Sequence, residues 1–119
     1  MVKVDDFRFG SIVIDNKKYS RDVLVFPDGK VERREGGLWM FGSHTIKQKE
    51  VERLLKGEPE VVIIGTGTSN KARLSAEAEN WAEERKLKLT VLPSYEAIAR
   101  LNELADQGRK VAAMIHITC

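Results

Sequence analysis

The sequence lacks the features that mark several common protein classes. It has one cysteine, Cys119, three prolines, and aromatic side chains at only 7% of its 119 residues. A single cysteine excludes an internal disulfide framework and is typical of a reducing compartment. No apolar run approaches the roughly 20 residues of a membrane-spanning helix, and the start, MVKVDDFRFG, is too polar for a signal peptide. We therefore expect a cytoplasmic protein that does not bind membranes.

The chain also has no excess of charge of either sign. Lys and Arg number 20, Asp and Glu number 18, and the net charge is +2. Such a balance gives no strong field to attract nucleic acid or an anionic membrane, and the short basic pairs have no aromatic residues between them. We predict no nucleic-acid binding. A hydrophobic content of 42% is enough for one globular domain over residues 1–119.

The first third of the chain predicts β-structure. Apolar runs at 11–14 and 23–26 predict strands, with a turn at 15–18 between them. Pro27-Asp-Gly29 predicts a second turn, because proline and glycine suit its backbone angles. Residues 30–35 are charged and predict an edge strand. Together these segments predict an antiparallel meander.

The second half predicts helices and strands in alternation. A capping box at Thr45 and Gln48 predicts a first helix. Residues 61–64 are apolar without alternation, which is typical of a strand buried on both faces. Further strands are predicted at 87–92 and 111–117, with helices capped by Ser75 and Ser94 between the strands. Two successive crossovers then give a parallel sheet, which the N-terminal strands make mixed.

The stretch VVIIGTGTSNK puts Gly65-Thr66-Gly67 at the carboxyl end of a predicted parallel strand. Pro93-Ser94 follows another such strand, and ligands of open α/β sheets bind at these ends. A dinucleotide loop would have a third glycine at position 70, where this chain has Asn70, and no Gly-Lys-Ser/Thr motif follows. Two interpretations stay open: the rim binds a ligand, or its glycines only form a tight turn.

Three further polar side chains, His44, Asn102 and His116, are candidates for the same ligand site. His44, His116 and Cys119 are also common metal-ligand types, but three ligands of unproved proximity are weak support for zinc. Cys119 beside a chain-terminal carboxylate is a poor nucleophile, even with His116 as a base. The residues predict no metal, no cofactor and no catalytic set.

An apolar cluster, Trp39-Met40-Phe41, lies between glycines. Bulky apolar residues in a loop either cover an edge of the core or contact a partner. We favour the core interpretation and keep these three residues as candidates for partner contact.

Several segments of the second half together resemble a known family. They are Pro59-Glu-Val-Val-Ile-Ile-Gly-Thr-Gly67, Leu92-Pro-Ser-Tyr-Glu-Ala97 with Asn102, Gln107-Gly-Arg-Lys-Val-Ala-Ala113 and His116-Ile-Thr-Cys119. The family is that of the adipogenesis-associated domain protein of animals and the mitochondrial respiratory complex I assembly factors, and it has archaeal and bacterial members.

This resemblance implies a three-layer α/β fold with a central mixed β-sheet, which here combines an N-terminal antiparallel meander and a C-terminal parallel βαβαβ part. It implies no catalytic residues, and it links family members to assembly or regulation. The family's usual threonine before the third helix is Ser94 here, and its tyrosine before Asn102 is Leu101.

Two functional hypotheses follow from the sequence. The first is a non-enzymatic binding or assembly module with a protein partner or a homo-oligomeric state. The alternative is a small-molecule binding protein, with a nucleotide-like compound among the candidate ligands, or a weak enzyme, with its site at the Gly65-Thr66-Gly67 and Pro93-Ser94 rim.

Overall fold

The computed structural model of the chain describes residues 2–34 and 44–119. The elements of this part, in chain order, are β1 Val4–Arg8, β2 Ser11–Ile14, β3 Lys17–Tyr19, β4 Val23–Val25, β5 Val31–Arg33, β6 Thr45–Ile46, α1 Gln48–Leu54, β7 Val61–Gly65, β8 Arg73–Leu74, α2 Ala76–Glu84, β9 Leu89–Leu92, α3 Ser94–Asp106 and β10 Val111–Ile115.

Five strands form the main sheet, in the order β5-β4-β10-β7-β9. The pairs β10–β7 and β7–β9 are parallel, which confirms the predicted parallel part. β4 is antiparallel to both β10 and β5, so the sheet is mixed, as predicted. β5 and β9 are the two lateral edges, which confirms the edge position predicted for the charged strand.

The predicted N-terminal meander is divided between two sheets. β1, β2 and β3 form a separate three-stranded sheet, whereas β4 and β5 join the main sheet. The predicted turn at 15–18 is too long: Asp15 and Asn16 have positive φ angles of 49° and 68°, and β3 begins at Lys17. A two-residue turn of left-handed residues matches the twist of the flanking strands. The short parallel pair β6–β8 was not predicted, because strands of two residues leave no sequence pattern.

Each face of the main sheet is covered by its own apolar layer. On one face, α3 and the small sheet pack on side chains of β7 and β10, including Ile63, Ala113 and Ile115. On the other face, α1 and α2 pack on the alternate side chains, including Ile64 and Met114. β10 is therefore buried on both faces over its whole length. This arrangement is the three-layer α/β fold.

Two of the three predicted helix caps are wrong. Thr45 is part of β6, so α1 begins later: its cap is Lys47, whose backbone N–H donates to Glu50 Oε1 over 3.0 Å. Ser94 is the first residue of α3 and Pro93 occupies the cap position. The cap at Ser75 is confirmed, because its hydroxyl accepts from the N–H of Ala78 over 3.0 Å. No helix within the described residues is long and apolar enough to cross a membrane.

Candidate functional site at the carboxyl edge of the sheet

The two turns that follow β7 and β9 form one rim, as the sequence predicted for neighbouring strands. The N–H of Thr66 donates to the carbonyl of Leu92 over 2.9 Å. The N–H of Gly67 donates to Ser94 Oγ over 2.8 Å, and the N–H of Ser94 donates back to the carbonyl of Gly67 over 3.0 Å. Ser94 therefore serves the rim instead of capping its own helix.

This rim holds the main chain of residues 118–119. The N–H of Thr68 donates to the carbonyl of Thr118 over 2.8 Å. The N–H groups of Ser69 and Lys71 donate to the carbonyl of Cys119 over 3.2 and 2.9 Å. Successive loop N–H groups of this kind bind anionic groups in other proteins. Here they bind main-chain oxygens of residues 118–119 of the same chain.

Gly67 makes this close contact possible. Its φ of +103° suits glycine, and a Cβ at this position would lie 2.2 Å from the carbonyl carbon of Cys119. Gly65 is also tightly enclosed, because a Cβ there would lie 3.0 Å from Ser94 Oγ and 3.1 Å from Ile115 Cδ1. The two glycines thus have a packing role, whether or not the rim also binds a ligand.

His116 lies behind the rim in a polar network. Its side chain is fully buried, with 0% exposure, and its Nδ1 is 2.7 Å from Asp22 Oδ2. Its Nε2 is 3.1 Å from the hydroxyl of Thr118. The backbone carbonyl of His116 accepts a hydrogen bond of 2.6 Å from Ser94 Oγ, which ties the network to the rim. Asp22, His116 and Thr118 form a continuous carboxylate–imidazole–hydroxyl line.

Arg34 extends this network towards α1. Its guanidinium donates to Asp22 Oδ2 over 2.8 Å, to the carbonyl of Thr45 over 2.6 Å, and to both carboxylate oxygens of Glu50. The Arg34 side chain is only 6% exposed. A buried cation with two carboxylate partners satisfies its hydrogen-bonding capacity and offsets part of its desolvation cost.

The same contacts shift two pKa values. Burial alone would raise the pKa of Asp22, but hydrogen bonds and charge from His116, the N–H of Ile117 and Arg34 outweigh burial and hold this pKa below its ordinary value of 3.8. Burial alone would lower the pKa of Arg34, but the carboxylates of Glu50 and Asp22 outweigh it and raise this pKa. Both groups are therefore charged at neutral pH.

The other predicted site residues fall in three places. His44 is exposed, and its ring centroid is 5.2 Å from that of His116, so the structure brings the two histidines together. Asn102 lies away from the rim, where its amide bonds both backbone groups of Val4 over 2.8 and 3.0 Å. Trp39, Met40 and Phe41 lie outside the described residues. Within residues 2–34 and 44–119, no group of three or more His, Cys, Asp or Glu side chains could hold a metal ion.

An exposed aromatic cluster beside the rim was missed at the sequence level. Phe9 is 63% exposed and Tyr95 is 56% exposed. Tyr95 packs edge to face on Phe7, with ring centroids 4.8 Å apart. The β1–β2 turn that carries Phe9 is fixed to the rim strand, because the N–H of Gly10 donates to the carbonyl of Ile117 over 2.8 Å. Phe7, Phe9 and Tyr95 are called the aromatic cluster below.

The sequence did contain a signal for this cluster. The residues FRFG at 7–10 put two aromatic side chains next to a glycine turn. Tyr95 lies in the first turn of α3, outside the buried stripe that contains Ala97, Ile98 and Leu101. What the sequence could not show is that the hairpin and the start of α3, which are about 90 residues apart, meet at one corner.

A family model described as "Protein of unknown function (DUF498/DUF598)" matches residues 4–116. The solved structure of MT938 is 36% identical to the chain, with 100% of both chains covered and a TM-score of 0.82. The conserved hypothetical protein PH1505 from Pyrococcus horikoshii OT3 is 28% identical, with 98% and 99% covered and a TM-score of 0.79. A Mth938-like domain from Bordetella pertussis shares the fold at 16% identity, with 97% and 85% covered and a TM-score of 0.74.

Proposed function

The chain belongs to the DUF498/DUF598 family of proteins of unknown function, and we propose that it is a protein-binding module that contacts its partner through the aromatic cluster. One observation carries this proposal: Phe9 and Tyr95 are both more than half exposed, and Tyr95 packs on Phe7, which is two residues from Phe9 in the same hairpin. Tyrosine and phenylalanine are enriched at protein interfaces, and tyrosine is one of the residues that contribute most of the binding energy there.

The frame around the cluster is rigid for identifiable reasons. Phe7 lies in β1 and Tyr95 in the first turn of α3, and their rings contact each other. The hydrogen bond from Gly10 to Ile117 holds the hairpin turn against the residue after β10. Side chains that are ordered before binding lose less entropy when a partner arrives. The links to assembly and regulation implied by the family resemblance point in the same direction.

The test uses the full chain with an affinity tag, expressed in its native host and analysed by native mass spectrometry. We expect a second polypeptide bound in a fixed ratio, and we expect the double variant Phe9→Ser/Tyr95→Ser to lose it. Gln107→Ser, an exposed substitution elsewhere, is the control and should retain the partner. A partner that the double variant retains, or repeated recovery of the tagged chain alone, would contradict the proposal.

A second candidate function is ligand binding or weak catalysis at the rim, and the Asp22–His116–Thr118 line supports it. A carboxylate that orients an imidazole, which in turn contacts a hydroxyl, is the arrangement that activates hydroxyl nucleophiles. Thr118 is half-buried, whereas Asp22 and His116 are buried, so Thr118 is the end of the line that lies nearest to solvent.

Covalent labelling with a fluorophosphonate probe tests this second function. If Thr118 is a nucleophile, the wild-type chain gains the mass of the probe, and Thr118→Val and His116→Asn both prevent the gain. Thr90→Val, at a half-buried threonine of β9 that does not contact Thr118, is the matched control. A wild-type chain that never gains mass under conditions that label a serine hydrolase would exclude a nucleophilic Thr118.

A further inference from the structure

The β9 edge of the main sheet has no partner strand among the described residues. Its sequence, Leu89-Thr-Val-Leu92, has no charged residue, and Val91 is 46% exposed. An uncharged, accessible edge strand is a template for pairing with another strand, and proteins usually protect such edges with charges, prolines, bulges or very short strands. β9 has four residues, which is enough for the short antiparallel pairing described below. Here Lys88 and Pro93 flank the strand, and neither lies within it.

The direction of the backbone groups of β9 follows from its pairing with β7. The carbonyl of Leu92 accepts from Thr66 of the β7 side, so the backbone groups of Leu92 and Thr90 point towards β7. The N–H and C=O groups of Leu89 and Val91 therefore point outwards. Leu89 packs with the α2 layer, and the alternation of side chains puts Val91 on the same face.

We propose that β9 pairs with β9 of a second copy of the chain, antiparallel, about a twofold axis at Thr90. In this register each Leu89 lies opposite Val91 of the second copy and exchanges two backbone hydrogen bonds with it, which gives four bonds in all. Thr90 lies opposite Thr90 of the second copy in the closely spaced, non-hydrogen-bonded position. The two main sheets then form one continuous ten-stranded sheet.

Charge is the reason to assign a second copy to this edge. The four residues of β9 are uncharged, so the paired strands themselves put no like charges opposite each other. Lys88 lies opposite Leu92 of the second copy, and the two Lys88 side chains are four residues apart along the pair. Direct like-charge opposition, which destabilises strand pairs, is thereby avoided.

The opposite edge explains why such an assembly ends at two copies. β5 contains Glu32 and Arg33, and Glu32 forms an ion pair with Arg53 of α1 over 2.6 Å. A head-to-tail contact of β9 with β5 would bury these charges, whereas the twofold contact of β9 with β9 leaves β5 in solvent. Twofold pairing is closed and does not extend into filaments.

A disulfide crosslink tests the register. In a Cys119→Ser background, Thr90→Cys puts two thiols opposite each other at a Cα separation of about 4.5–5.5 Å, which a disulfide spans. Val91→Cys in the same background puts them about 8 Å apart, beyond the reach of about 7 Å. We expect mild oxidation to convert the first variant into a covalent dimer and to leave the second mainly monomeric. Equal crosslinking of both variants would overturn the register.

Sedimentation equilibrium of the full chain without any added cysteine tests the association itself. Val91→Lys should raise the dimer dissociation constant about 100-fold. The dimer contains the substitution twice, and each lysine is expected to weaken association about tenfold. Gln107→Lys adds the same charge at an exposed position away from β9 and should leave the constant unchanged. The proposal is overturned if the wild-type chain stays monomeric over the whole concentration range of the experiment. It is also overturned if Val91→Lys does not weaken the dimer. Neither outcome affects the aromatic cluster, which is tested by partner recovery.

Discussion

The two lateral edges of the main sheet are built in opposite ways. The β5 edge carries charge, and the residue after it, Arg34, is buried between Asp22 and Glu50. The β9 edge carries no charge, and its outward backbone groups and Val91 are accessible in the described structure. One edge is thus held by ionic contacts to neighbouring elements, and the other presents an uncharged surface.

The two edges thus differ in the one feature that most directly discourages strand pairing, which is charge. A charged edge disfavours the approach of another strand, and natural sheets use this device where pairing is unwanted. The same device is missing at β9, which lies beside the aromatic cluster at the corner where α3 begins. We infer that the surface for association is concentrated on the β9 side, and that the β5 side mainly stabilises the molecule.

The largest expected effect is on the β5 side, at Arg34. Arg34→Met leaves the carboxylates of Asp22 and Glu50 in a partly buried site without their cation. Breaking a buried ion pair in this way costs about 3–5 kcal/mol of unfolding free energy. Urea unfolding monitored by circular dichroism measures the loss.

Arg53→Met is the matched control for this measurement. Arg53 pairs with Glu32 at the same edge, but both side chains are more than a third exposed. Exposed pairs contribute about 0.2–1 kcal/mol, because water screens them. If the two variants lose equal stability, the buried ion pairs of Arg34 contribute no more to folding than the exposed pair of Arg53 does.

The next largest effect is expected at Gly67, which holds residues 118–119 against the rim. Gly67→Ala brings a Cβ into the carbonyl of Cys119 and puts alanine at a φ of +103°. Overpacking and an unfavourable backbone angle each cost about 1–3 kcal/mol, so even the lower ends of the two ranges together give a loss of about 2 kcal/mol. Gly29→Ala, which also has a positive φ but open space around its Cβ, is the control. Equal losses in the two variants would mean that the contact with Cys119 contributes nothing.

A smaller effect is expected in the acid dependence of stability. The pKa of Asp22 is lowered in the folded chain, so the unfolded chain takes up this proton first as the pH falls. The stabilisation is complete above the ordinary value of 3.8 and is lost as the pH drops below it, towards the folded-state pKa. Asp22→Asn lowers the free energy of unfolding at neutral pH. It should also reduce the further fall in this free energy as the solution becomes acidic. Parallel curves for the wild type and the variant between pH 5 and about 2.5 would contradict the assignment.

Local patterns explain why much of the fold was predictable. Uninterrupted apolar residues at 61–64 and glycine at 108 mark a buried strand and a helix end by local chemistry alone. The cap at Ser75 also depends only on neighbours within three residues. The split of the meander into two sheets depends on packing between distant segments, which no local pattern contains.

The site was less predictable because many of its contacts join residues that are far apart in the sequence. The rim of Gly65-Thr66-Gly67 and Ser94 follows from strand ends that meet in any parallel pair. The contacts of Asp22 with His116 and Arg34 span 94 and 12 residues of sequence. Asp22 looks like a surface residue next to Arg21, and only the folded chain shows that it is buried.

The smallest effect is expected from the exposed ion pair at the β5 edge, and it decides what the charge there does. In a double-mutant cycle of Glu32→Gln and Arg53→Gln, the coupling energy should be about 0.2–1 kcal/mol, because both side chains are partly solvated. A charge that contributes so little to folding can still disfavour strand pairing, and this is the role we propose for it at the β5 edge. Glu32→Gln should therefore leave unfolding nearly unchanged while it raises the tendency to associate at high concentration, measured by light scattering. A coupling above about 2 kcal/mol would instead make the pair a structural element of the β5 edge, since exposed pairs do not reach this value. In that case the lack of charge at β9 would no longer be evidence of a surface kept open for a second copy.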